Sequence, residues 1–79
     1  MNEREYRDWI KEKTKNTCTV RESGNTVYLE TEYAQGKAVF HDDDIVELVI
    51  TDIKNDEVCF YLHFQLKDDD HAKDLFNEM

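Results

Sequence analysis

Residues 2–15 place Tyr6, Trp9, Ile10 and Lys13 at the i, i+3, i+4, i+7 spacing of one helical face, with only the aliphatic stem of Lys13 available at the last position. Asn2 followed three residues later by Glu5 has the form of a capping box, and Asn16 is positioned to close the helix in a left-handed conformation. The period then changes. Residues 17–21, Thr-Cys-Thr-Val-Arg, favour a strand, and Glu22-Ser23-Gly24-Asn25 supplies turn chemistry before a second alternating run over residues 26–33. In that run Val27, Leu29, Thr31 and Tyr33 share one face, with Tyr28, Glu30 and Glu32 on the other. Ala34-Gln35-Gly36 offers a reversal into a short strand over 37–40, which stops at His41-Asp42-Asp43-Asp44.

Residues 45–51 set Val46, Leu48 and Ile50 against Glu47 and Thr51, and Lys54-Asn55-Asp56 reads as the next turn. The strongest strand pattern is residues 57–66, with Val58, Phe60, Leu62, Phe64 and Leu66 on one side and Cys59, Tyr61, His63 and Gln65 on the other. So apolar a run is expected away from the sheet edge, with the Phe60, Leu62 and Phe64 side in the core. Asp68-Asp69-Asp70 precedes a last helix whose stripe is Ala72, Leu75, Phe76 and Met79, and one of these aspartates is expected to be its N-cap.

The order helix, about five strands, helix, joined by short connections, predicts a single α+β domain over residues 1–79 with a mostly antiparallel meander sheet. Each helix carries one apolar stripe and needs a sheet face to cover. If both share a face, Trp9, Ile10, Leu75 and Phe76 meet Val27, Leu29, Leu48, Ile50, Phe60, Leu62 and Phe64. The opposite face, with Tyr28, Val49, Cys59, Tyr61 and His63, is then more apolar and aromatic than solvation requires.

Length limits what such a fold can do. Seventy-nine residues bury only about 60% of the surface exposed by the unfolded chain, so burial by a partner would matter to stability. The chain carries 19 acidic and 10 basic residues, a net charge of −9. Residues 1–15 hold five basic and four acidic groups, whereas residues 41–79 hold three and twelve, so the negative field belongs to the second half. That field argues against direct nucleic-acid binding and against anionic lipid. No run approaches the roughly 20 apolar residues of a membrane span, and the N-terminal residues lack the apolar core of a secretory signal. A cytoplasmic protein is the expectation.

Candidate chemistry is sparse. Cys18 and Cys59 lie 41 positions apart with no CxxC or neighbouring Cys/His pair, and are expected to be buried reduced thiols. His41-Asp42-Asp43-Asp44 and Asp68-Asp69-Asp70-His71 hold side-chain types that suit a divalent ion, with His41, Asp43, Asp70 and His71 as its candidate ligands. Their spacing matches neither an EF-hand nor HExxH and fits solvated turns and helix capping better, so no metal and no cofactor are expected. Cys59 and His63 fall on one strand face about 13 Å apart, too far for a nucleophile and its base.

The expectation is therefore a non-enzymatic protein-interaction module. It would bind a partner protein or a second copy of itself, as a homodimer, through a surface marked by Tyr28, Tyr61 and His63. An acidic inhibitor or immunity-type protein, which occupies a basic surface on another protein, is the sharper form of that expectation. The alternative from another class is a divalent-cation-binding or catalytic domain built on the Asp/His clusters.

Overall fold

The computed structural model describes residues 2–66 and 69–77, with the side chains of Asp69 and Asp70 outside the description. Helix α1 (Glu3–Thr14) begins where Asn2 Oδ1 accepts the Glu5 N–H at 2.9 Å. It does not end on a left-handed Asn16. Lys15 is a right-handed C-cap, and the Thr14 carbonyl takes both the Thr17 and Cys18 N–H groups. Five strands follow, β1 (Thr19–Ser23), β2 (Thr26–Glu30), β3 (Ala34–Phe40), β4 (Ile45–Asp52) and β5 (Glu57–Gln65), and then helix α2 (Asp69–Asn77). The strands form one antiparallel sheet in chain order, the expected α+β meander. Among the described residues no helix is long and apolar enough to cross a membrane.

Gly24, at φ +58°, makes the tight turn of the first hairpin, where Ser23 pairs with Thr26. The second reversal falls earlier than the expected 34–36. Thr31 Oγ1 accepts the N–H groups of Tyr33 (3.2 Å) and Ala34 (3.1 Å), and the Thr31 N–H reaches the Ala34 carbonyl at 2.9 Å. A threonine that scores as a strand former instead builds the turn with its hydroxyl, which frees Ala34-Gln35-Gly36 to extend β3. Asp52 organises the β4–β5 turn in the same manner, its carboxylate accepting the Lys54 N–H at 3.0 Å.

Both helices lie on one face of the sheet. The core they close contains Tyr6, Ile10, Val27, Leu29, Ala38, Phe40, Val46, Leu48, Leu66, Ala72 and Phe76. Its centre is β2 to β4, and Phe60, Leu62 and Phe64 of β5 pack only half-buried against it. The expectation that residues 57–66 sit inside the sheet is thus corrected, because β5 is its last strand. A register shift opposite Ile50 and Thr51 pairs Ile50 with Phe60 but Thr51 with Val58, leaving Cys59 as the extra residue. Past this bulge the alternation inverts, so Val58 leaves the core side and is 60% exposed. Cys59 is exposed and Cys18 half-buried, both as free thiols, so neither is the buried cysteine expected.

Candidate functional site

The face away from the helices is set by register. One row across it runs Arg21, Tyr28, Lys37, Val49, Tyr61, and the next runs Ser23, Thr26, Val39, Glu47, His63. The structure therefore brings Tyr28, Tyr61 and His63 to the same face, but not to one spot. Tyr28 and Tyr61 are three strands apart, about 14 Å at the usual interstrand spacing. Tyr28 is half-buried beneath Arg21, whose guanidinium carbon stands 4.1 Å from the ring centroid and whose Nη2 is 3.2 Å from Glu30 Oε1. Tyr61 is 58% exposed.

Around Tyr61 a polar cluster forms on β4 and β5. The Tyr61 hydroxyl donates to Glu47 Oε2 at 2.9 Å, His41 Nε2 meets Glu47 Oε1, and His63 is the direct cross-strand neighbour of Glu47. The Tyr61 hydroxyl, and then His41, hold the Glu47 carboxyl below the usual glutamate range. The same bond holds the Tyr61 phenol above its usual range, because ionising it would lose the hydrogen bond and face the Glu47 charge. Both carboxylate oxygens are thereby engaged, one from β5 and one from the residue that follows β3, which orients the Tyr61 ring across β4.

Sequence reasoning missed Glu47 and His41 as partners of Tyr61. The alternation Val46-Glu47-Leu48 does place Glu47 opposite the core. Its pairing with His63 could not be counted from the β4–β5 turn, because the bulge shifts the register by one residue. Carboxylates stand at both ends of this half of the sheet. Asp42, Asp43 and Asp44 form a 3-10 turn before β4, with Asp43 and Asp44 at φ +61° and +58°, and Asp52, Asp56 and Glu57 surround the β4–β5 turn.

Of the Asp/His clusters, His41 to Asp44 and His71 are described, and the side chains of residues 68–70 lie outside the description. His41 turns to Glu47 rather than to the aspartates that follow it, and the His71 ring stands edge-on to Phe64, 6.4 Å between centroids. Among the described residues no three His, Cys, Asp or Glu side chains gather as a metal site would require. The expected Asp N-cap of α2 and the apolar position of Met79 lie outside the described residues. On the helix side, an apolar hollow of about 290 Å³ opens beyond the ends of α1 and α2, against Cys18, Leu29, Gly36, Ile50 and Phe76. Comparison with protein-family models, with curated proteins and with solved structures gives no match.

Proposed function

We propose that this chain is a non-enzymatic protein-interaction module that binds a protein partner through the β4–β5 half of its open sheet face. The observation that carries the reading is the placement of both helices on one face, which leaves Tyr61 exposed on the other. A tyrosine held by its hydroxyl loses less freedom on docking than an unrestrained one, and its ring supplies apolar area at the centre of a contact. Carboxylates at both ends of the strand pair give that centre an acidic rim. The complementary partner presents basic groups around an apolar or aromatic centre, the geometry an inhibitor or immunity-type protein would use against a basic surface.

The test is capture from native lysate at physiological salt with the wild-type chain, Tyr61→Asp, and the α1 surface variant Glu12→Lys as a control. The expected result is a retained protein that Tyr61→Asp loses and Glu12→Lys keeps, with retention falling as salt screens the rim. Equal retention by a folded Tyr61→Asp chain would remove the open face from the reading.

A further inference from the structure

The two edges of the sheet are built differently. At one edge, β1 is five residues long, contains Arg21 and Glu22, and is tied to α1 through Glu22, which lies 2.5 Å from Lys11 and 3.9 Å from Arg7. Short length and charge are the usual protections of an edge strand. At the other edge, β5 is nine residues long. It lies almost wholly within residues 58–66, which contain no Asp, Glu, Lys, Arg or Pro and form the longest stretch of this chain without a formal charge, with His63 neutral. Its Phe60, Leu62 and Phe64 are only half-buried on the helix side, and Tyr61 is exposed on the open face.

The hydrogen-bonding direction of each strand follows from two bonds. The His41 N–H donates to the Ile45 carbonyl and the Leu66 N–H to the Asp44 carbonyl, both at 2.8 Å. With the observed registers, odd residues of β4 bond to β3 and even residues to β5. In β5 the groups of Phe60, Leu62 and Phe64 therefore point inward, and the N–H and C=O of Tyr61, His63 and Gln65 point outward. Among the described residues no backbone hydrogen bond is made to those outward groups.

We infer that β5 pairs with β5 of a second copy, antiparallel about a two-fold axis, to give a continuous ten-stranded sheet. The occupant is argued from charge and pattern together. Two chains of net charge −9 repel least when they meet where neither carries a formal charge, and the β5 edge supplies such a surface on both. Antiparallel pairing through the odd-numbered outward groups keeps even residues opposite even residues. It sets the half-buried Phe60, Leu62 and Phe64 of the copies side by side and brings the two Tyr61 faces into one surface. It also gives the interior position that this apolar strand's sequence predicts and that the single chain denies it.

Sedimentation, amide exchange and two altered chains decide the matter. Sedimentation of the full chain should show a monomer–dimer equilibrium that tightens with added salt, and the Tyr61 and His63 amides should exchange more slowly as concentration rises. A synthetic full-length chain with N-methyl-His63, which lacks one outward donor per copy, should dimerise at least about tenfold more weakly. Tyr28→Asp, on the open face but three strands from this edge, should dimerise like wild type. A chain that stays monomeric at millimolar concentration, or a dimer indifferent to N-methylation, overturns the edge pairing without touching the face reading. Loss of the dimer in a folded Tyr28→Asp chain overturns it in favour of face-to-face contact.

Discussion

Tyr6 is the residue through which most of this small core communicates. Its ring is fully buried, stacks on Trp9 at 5.8 Å, and meets Phe40 and Phe64 edge-on at 6.3 and 6.1 Å, while its hydroxyl donates to the Ala72 carbonyl at 2.9 Å. One side chain thus joins α1, β3, β5 and α2, and burial raises its phenol far above the ordinary range. Tyr6→Phe keeps the ring and deletes the interhelical bond, which should cost about 1 kcal/mol. Tyr6→Ala should cost about 3–5 kcal/mol, comparable to the whole stability of a domain this size. Urea denaturation of both variants separates the two contributions, and equal losses would mean that the ring contributes nothing beyond the hydroxyl. On the opposite face, Tyr61→Phe removes the largest cause of the low Glu47 pKa. In wild type that carboxylate contributes stability above its ordinary pKa of 4.5, and the contribution is lost as pH falls through its lower folded value. The Glu47 titration followed by carboxyl NMR shifts should therefore move upward in Tyr61→Phe, and an unchanged midpoint would remove the bond from its environment.

The elements show where alternation suffices and where it does not. The three central strands carry side chains buried on one face at period two, and this pattern is the local consequence of a helix-covered sheet. The 31–33 reversal was hidden because Thr31 and Tyr33 continue the alternation of β2, and only the side-chain bonds of Thr31 distinguish a turn from a longer strand. Thr31→Val keeps the branched shape and removes that acceptor, so it should destabilise by about 1 kcal/mol by thermal or urea unfolding. No loss would show that backbone geometry alone holds the turn. The rank of β5 was hidden for a different reason. Apolar density reports that a strand is to be covered, without reporting whether a neighbour in the same chain or in another does the covering. Of the candidate site, the shared face of Tyr28, Tyr61 and His63 was legible from alternation. The clustering of Glu47, His41 and Tyr61 was not, since it depends on a bulge that no single residue type announces.

At the scale of the whole molecule, the two halves of the chain place their charges differently. Near α1 and β1, Arg7 pairs with Glu3 at 2.9 Å, Lys11 with Glu22 at 2.5 Å and Arg21 with Glu30 at 3.2 Å. At the β3–β4 turn, Asp42, Asp43 and Asp44 are consecutive and exposed, with two of them in the left-handed conformation, which non-glycine residues adopt at a cost. Salt acts on both halves in opposite directions. Exposed ion pairs contribute about 0–1 kcal/mol each, so screening them loses little, whereas a net charge of −9 opposes the compact state as a whole. Relief of the repulsion should win. At low micromolar concentration, where association contributes least, raising sodium chloride from low to physiological strength should raise the thermal midpoint, by about 4–8 °C for each kcal/mol of repulsion screened. Asp43→Asn with Asp44→Asn removes two charges while keeping a residue that tolerates positive φ, so this double variant should start higher in low salt and gain less on salt addition. A midpoint that falls with salt would show that the α1–β1 ion pairs outweigh the acidic end of the sheet. Equal salt gains in wild type and the double variant would locate the repulsion elsewhere than at that turn.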